Sequence, residues 1–137
     1  MRTDLTKAAA LNRRRFARRP EEVAAARRFV RGGLTRGSEA WETAQLLVSE
    51  TVTSSLDHAG SDTGSGTLEV GYAVVDRRLR VEVSDDGGPA RLRRRIGAVR
   101  SAGGRGLELV RALASRWGVR ESSSGRTIWF EVDLSGR

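Results

Sequence analysis

The chain has 137 residues and a mass of 14.9 kDa, which is enough for one domain with one hydrophobic core. It has no cysteine and one histidine, which excludes disulfides and thiolate chemistry and argues against a multi-histidine metal site or a Ser-His-Asp triad. The net charge is +8, and an anionic partner such as nucleotide phosphate, nucleic acid or an acidic protein is favoured.

The first segment of the chain is polar and basic and has no repeating apolar face. We predict a flexible basic tail over residues 1–15, followed by a domain over residues 16–137 with a short strand near Phe16. The segment lacks the apolar stretch of a signal peptide, and no apolar run in the chain approaches the roughly 20 residues that a membrane span needs. The sequence therefore predicts a cytoplasmic protein without membrane contact.

Two helices are predicted after this tail. The first begins at Pro20, which suits the first helical position, and ends at Gly32. The second begins near Ser38 and ends at Gly60, and its apolar residues recur at helical spacing. This predicted inner stripe consists of Trp41, Ala44, Val48, Val52, Leu56 and Ala59.

Beyond residue 66 the apolar period changes from helical spacing to two. Alternating runs over residues 68–74 and 79–83 predict a β-hairpin whose turn is Asp76-Arg77. Residues 85–103 follow as a loop rich in glycine and arginine. A loop of this length is longer than most connections inside a domain, and such loops are usually functional lids or disordered segments.

A third helix is predicted from about Gly104 to Ser115, followed by a strand around Trp117 and a final strand over residues 127–132. The order helix, helix, strand, strand, loop, helix, strand, strand is typical of helices that cover one side of a sheet. The predicted fold class is α+β, a two-layer α/β sandwich with helices on one face of a mixed, mostly antiparallel sheet.

Three clusters of residues could carry chemistry. On the long helix, Glu50, Ser54 and Asp57 share the face opposite the apolar stripe. At a strand end, Asp85 offers a carboxylate, and Gly87 lets the backbone approach a flat ligand. At the start of the third helix, backbone N–H groups suit a phosphate; this cluster comprises Gly103, Gly104, Arg105, Gly106 and Leu107. Taken singly, each cluster also fits a plainer interpretation: a solvated helix face, a strand ending in a turn, or a glycine-rich helix start.

Taken together and in this order, the clusters resemble the three nucleotide motifs of the GHKL (Bergerat-fold) ATP-binding superfamily. Within it, the short chain is similar to the anti-sigma-factor serine/threonine kinases. The resemblance covers roughly residues 16–134, and it makes residues 85–103 the counterpart of the ATP lid. It also extends to residues 26–30, 112–118 and 125–130.

The resemblance implies ATP and Mg²⁺ as ligands and assigns roles to residues. Glu50 would be the catalytic general base, which takes the proton of a serine or threonine hydroxyl as its oxygen attacks the γ-phosphate. Asp85 would accept a hydrogen bond from the adenine amine, with Gly87 close to the base and the Thr127 hydroxyl nearby. The other ATP-binding residues that it implies are Ser54, Asp57, His58, Gly104, Arg105, Gly106 and Leu107.

Two positions depart from the family's motif. Pro89 stands where the wider superfamily often has a glycine, which alters the loop without necessarily harming the adenine contact. The family has an asparagine that binds Mg²⁺ four residues after the glutamate, and here that residue is Ser54. A hydroxyl can ligate Mg²⁺ but is shorter, and Asp57 lies one turn further on. The sequence therefore leaves open whether this chain transfers phosphate.

Three hypotheses about function remain. The leading one is an ATP-binding regulatory protein kinase of the anti-sigma type, a transferase in transcription regulation whose implied partners are a sigma factor and an anti-sigma antagonist protein. The second is a nucleotide-binding module that acts by protein contact alone. The third is a small basic nucleic-acid-binding protein, which explains the charge but leaves the ordered motifs unexplained, so the resemblance argues against it. The oligomeric state, a homodimer included, stays open.

Overall fold

In the computed structural model, the described residues, 11–33, 39–59, 66–85, 105–122 and 125–134, form five strands and three helices. The helices are α1 (Glu22–Arg31), α2 (Glu39–Ala59) and α3 (Arg105–Leu113). The strands are β1 (Asn12–Ala17), β2 (Thr67–Val75), β3 (Arg78–Asp85), β4 (Arg116–Ser122) and β5 (Gly125–Asp133).

The strands form one sheet in the order β1-β2-β3-β5-β4. All four pairings between the described strands are antiparallel, so the parallel component of the predicted mixed sheet is not found among them. α1 packs on β1 and β2, whereas α2 packs over β3 and β5 and contacts both α1 and α3. The predicted α+β fold with two layers is confirmed.

The core lies between the helices and the inner face of the sheet. Alternate residues of β2, β3 and β5 point toward the helices, as the period of two predicts. Among the helices, α2 contributes the most residues to this core. Core residues with no more than 1% exposure include Ala44, Leu47, Val48, Val52, Leu68, Val70, Leu79, Val81, Val83 and Phe130.

The buried face of α2 is rotated relative to the predicted stripe. Leu47, Thr51 and Ser55 are fully buried, whereas Trp41 is only partly buried. Thr51 tolerates burial because its hydroxyl donates a hydrogen bond of 2.6 Å to the Leu47 carbonyl oxygen of the preceding turn. A polar residue can therefore belong to the inner face, which apolar spacing alone does not predict.

The hairpin of β2 and β3 has the two-residue turn that the sequence predicts. Asp76 and Arg77 adopt φ angles of 53° and 61°, both in the left-handed region. Positive φ at both central residues is typical of the type I′ turn, whose twist matches that of the flanking strands. The turn is also tied to the end of β5, because the Leu134 N–H donates to the Arg77 carbonyl oxygen at 2.7 Å.

β1 is longer than the short strand predicted near Phe16. It begins at Asn12, and each of its residues pairs with β2, so residues 12–15 belong to the sheet and not to a flexible tail. An edge strand needs only one neighbour and few apolar residues. Phe16 supplies the inner anchor and packs edge-on against Phe29 of α1, with the ring centroids 6.0 Å apart.

The outer face of the sheet carries charged residues that neutralise each other. Arg80 contacts Glu82 at 2.9 Å and Glu131 at 3.0 Å, and its guanidinium lies 4.2 Å from the centroid of Trp129. Arg80 and Glu131 are each 1% exposed. Buried charges are tolerated in such a network because every charge has an opposite neighbour.

Candidate nucleotide-binding site

The inner face of the sheet ends in a row of charged residues at the carboxyl end of β3. Asp85, the last residue of β3, is directly opposite Arg126 of β5, and Arg126 is directly opposite Glu121 of β4. Asp85 follows the buried Val83 by two residues, so it belongs to the side that faces the helices. Asp85 and Arg126 are each 1% exposed.

A second guanidinium contacts Asp85 from the other side. Arg18 directly follows β1, and its Nε lies 3.5 Å from Oδ1 of Asp85, with both side chains 1% exposed. A buried carboxylate is costly without an opposite charge, and Arg18 supplies that charge. Burial also lowers the pKa of the Arg126 guanidinium, while the carboxylates of Glu121 and Asp85 oppose this shift. Asp85 is therefore an acceptor held between two buried cations.

Thr127 lies on the outer face of the sheet. Its hydroxyl is 2.9 Å from that of Ser84, its partner in the strand register. Asp85 and Arg126 face the helices one residue further along each strand. This location does not fit the role near adenine predicted for Thr127, because successive strand residues point to opposite faces. Arg126 occupies the inner position beside Asp85.

The structure brings Glu50 and Ser54 together on one flank of α2, where both are half-buried. The opposite flank faces α1, since Arg27 donates to the Ser49 hydroxyl at 3.0 Å and the Gln45 amide donates to the Arg27 carbonyl oxygen at 3.5 Å. At 100° per residue, Glu50 and Ser54 point about 140° away from Gln45 and Ser49. Since α1 packs on the Gln45 and Ser49 flank, Glu50 and Ser54 lie on the opposite flank of α2, which is the flank left for contact with α3.

The other predicted site residues are described only in part. Leu107 is 3% exposed in the first turn of α3 and packs inward. Four further site residues belong to helices whose backbone is described while their side chains are not: Asp57, His58, Arg105 and Gly106. Gly87 and Gly104 lie outside the described residues, as does most of the segment predicted as the lid.

Neither a cluster of potential metal ligands nor a membrane-spanning helix is found among the described residues. No group of three or more histidine, aspartate or glutamate residues there could hold a metal ion by itself. Among the described helices, none is both long and apolar enough to cross a membrane.

The chemistry of the described residues suits an adenine nucleotide. An ionised carboxylate only accepts hydrogen bonds, and Asp85 offers one on the helix-facing side of the sheet. The first turn of α3 presents backbone N–H groups that have no partner within the helix, and such groups bind phosphate. Glu50 can accept a proton, and the Ser54 hydroxyl can ligate a cation.

Comparison with known proteins identifies the class. Residues 16–132 match the model of the family described as the Histidine kinase-like ATPase domain, and the chain belongs to this family. Membership implies ATP binding. Among solved structures, the chain is similar to the Erythrobacter litoralis blue-light activated histidine kinase, with 26% identity and a TM-score of 0.50. The match covers 84% of this chain and 40% of that chain. No curated protein matches.

Sequence reasoning missed two residues of the site, Arg18 and Arg126. Arg126 could have been found from strand parity, since Ile128 and Phe130 are the inner residues of β5 and position 126 has the same parity. Arg18 gave no such signal, because its partner Asp85 is distant along the chain and belongs to a different strand.

Proposed function

We propose that this protein is a cytoplasmic regulatory kinase of the anti-sigma type. It would transfer the γ-phosphate of ATP to a serine or threonine of an antagonist protein and thereby control a sigma factor. The proposal is carried by the position of two residues on the same side of the sheet, the side covered by the helices. Asp85 faces the helices at the end of β3, and Glu50 lies on the flank of α2 that is opposite α1 and left for contact with α3. Membership of the histidine kinase-like ATPase family supports it.

Each residue has a defined task in the proposed reaction. Asp85 accepts a hydrogen bond from the adenine amine and orients the base. Glu50 takes the proton from the attacking hydroxyl, whose oxygen forms a bond to the γ-phosphorus while the bond from that phosphorus to the β–γ bridging oxygen breaks. ADP leaves with the electron pair of the broken bond. The first turn of α3, with Arg105, meets the phosphates.

Mg²⁺, when bound, neutralises charge on the β- and γ-phosphates. Ser54 is the candidate ligand on α2, and Asp57 follows it by about one helical turn. Both residues carry oxygen, which is the ligand atom that Mg²⁺ prefers.

A second candidate function is a nucleotide-binding module that regulates its partner by contact alone. One observation favours it. Ser54 offers a shorter ligand than asparagine at the magnesium position. A shorter magnesium ligand would reduce turnover more than it would reduce the capacity to bind a protein.

Phosphotransfer to a candidate antagonist tests the proposal. The full chain is incubated with Mg²⁺, radiolabelled ATP and an antagonist protein, and the label on serine or threonine is measured. Transfer by the wild type but not by Glu50→Gln supports the kinase. ATP binding without any transfer supports the contact-only module. If neither ATP binding nor transfer occurs, both candidate functions are wrong.

A further inference from the structure

The edge of the sheet formed by β4 carries both apolar and basic side chains. β4 pairs with β5 on one side and, among the described strands, has no neighbour on the other. Alternate residues of an edge strand direct backbone N–H and C=O groups away from the sheet, where they can pair with another extended chain. The side chains of β4 therefore decide which chain fits there.

The helix-facing side of β4 is apolar and only partly covered. Trp117 and Val119 are directly opposite Phe130 and Ile128 of β5, which are fully buried, whereas Val119 is 39% exposed. α2 packs over β3 and β5, so β4 lies at the margin of the helical layer. Leu113, which ends α3 just before β4 in the chain, is 45% exposed. An added strand would cover part of this apolar surface.

The outer side of β4 is basic, because the ion pairs there leave one positive charge in excess. Arg80, Arg116 and Arg120 contact only two carboxylates, those of Glu82 and Glu131. The buried Arg80 holds both at 2.9 and 3.0 Å, whereas the exposed Arg116 and Arg120 contact them at 3.4 and 3.6 Å. The excess charge of this network therefore lies at the β4 edge.

These two sides define the chemistry of a chain that fits. Successive residues of an added strand point to opposite faces, so carboxylates could meet Arg116 and Arg120 while aliphatic side chains cover Val119. A second copy fits poorly, because pairing β4 with its counterpart puts the same arginines into one seam, and like charges across a strand pair are destabilising. A nucleic acid offers phosphates to the arginines but has no peptide groups to pair with the edge.

We propose that β4 is a docking edge for a partner protein, which adds to the sheet an extended segment of alternating acidic and aliphatic residues. Recognition of this kind takes affinity from main-chain hydrogen bonds and selectivity from side chains at alternate positions. The exposed arginines also oppose the pairing of purely apolar strands. The docking edge is independent of the proposed nucleotide chemistry, since it requires neither Asp85 nor Glu50.

A synthetic peptide of alternating valine and glutamate tests the edge. Its length is seven residues, the same as that of β4. Calorimetry measures its binding to the full chain without ATP, and amide hydrogen exchange locates it. We expect slower exchange in residues 116–122 and no change in β1, the other edge of the sheet. The same peptide with every amide N-methylated, or with lysine in place of glutamate, should not bind.

A double variant assigns the binding to the arginines of β4. In Arg116→Gln/Arg120→Gln, Arg80 still neutralises the nearby buried carboxylates, so the fold should be kept. Peptide binding should weaken about threefold to tenfold, which corresponds to the loss of two exposed ion pairs. Arg13→Gln/Arg15→Gln, which removes two exposed arginines from β1, is the matched control and should bind like the wild type.

Several outcomes would overturn the proposal: no binding at millimolar peptide, binding without protection of residues 116–122, or equal binding by the two double variants. Light scattering that shows a dimer lost in Arg116→Gln/Arg120→Gln would assign the edge to a second copy instead. An oligonucleotide that displaces the peptide and protects the same residues would assign it to nucleic acid. If Arg116→Gln/Arg120→Gln does not fold by circular dichroism, the N-methylated and lysine peptides on the wild type still decide, since their binding would contradict strand addition or charge selection.

Discussion

Arg18 and Asp85 form an ion pair of 3.5 Å in which both side chains are 1% exposed. Arg18 follows the edge strand β1, whereas Asp85 ends the central strand β3. The pair therefore connects the start of the fold to the residue proposed to bind the adenine base, and a change at residue 18 should be detectable both in stability and in nucleotide binding.

Replacing Arg18 by methionine should lower the free energy of unfolding by about 3 kcal/mol, because removal of one partner leaves a buried charge without its main counter-charge. Urea unfolding at pH 7 measures this. In the double variant Arg18→Met/Asp85→Leu, part of the loss should return, since no carboxylate is left buried. A double variant whose loss equals the sum of the two single losses would contradict a direct interaction.

Asp85 should make the site selective for adenine. Its carboxylate accepts from the adenine amine and repels the carbonyl oxygen that guanine has in the same place. We expect ATP to bind about tenfold or more tightly than GTP, and Asp85→Asn to weaken ATP binding by a similar factor. Calorimetry with both nucleotides measures this, and equal affinities for ATP and GTP would show that Asp85 does not recognise the base.

Glu50 should affect chemistry more than stability. It is half-buried on the flank of α2, so Glu50→Ala should change the free energy of unfolding by about 1 kcal/mol at most. Loss of a general base should reduce phosphotransfer by about 10²–10⁴-fold. Glu42→Ala, which removes an exposed glutamate from the same helix, is the control. Equal transfer rates for wild type and Glu50→Ala would refute the assignment.

Ser54→Asn should strengthen the magnesium dependence of ATP binding. The amide oxygen extends about one bond further than the hydroxyl and is a hard ligand for Mg²⁺. ATP affinity is measured with Mg²⁺ and with EDTA. Thr53→Asn, an exposed neighbour on the same helix, is the control and should change little. If Ser54→Asn also leaves the magnesium dependence unchanged, the α2 flank is not the metal side of the site.

The sequence predicts most of the fold because the relevant patterns are local. The spacing of Ala44, Val48 and Val52 predicts α2, and the alternation on each side of Asp76-Arg77 predicts the hairpin of β2 and β3. β1 was predicted too short, since its exposed arginines show no alternation and its pairing with β2 depends on a distant part of the chain.

The site is predicted less completely than the fold. The motif predicts that Thr127 lies near the base, whereas in β5 Thr127 lies on the outer face and its neighbour Arg126 lies on the inner face. Successive residues of a strand point to opposite faces, so a motif position that is displaced by one residue falls on the wrong face of the sheet. The contact of Arg18 with Asp85 depends on tertiary structure and has no counterpart in local pattern.

The two-residue turn at Asp76 and Arg77 has a consequence at the far end of its hairpin. It sets the register in which Val75 pairs with Arg78 and, at the other end, Leu68 pairs with Asp85. A slip of one residue in β3 would put Ser84 on the inner face in place of Asp85, and the acceptor proposed for the base would lie on the outer face. Under the proposed function, the choice of base therefore depends on a turn at the opposite end of the hairpin.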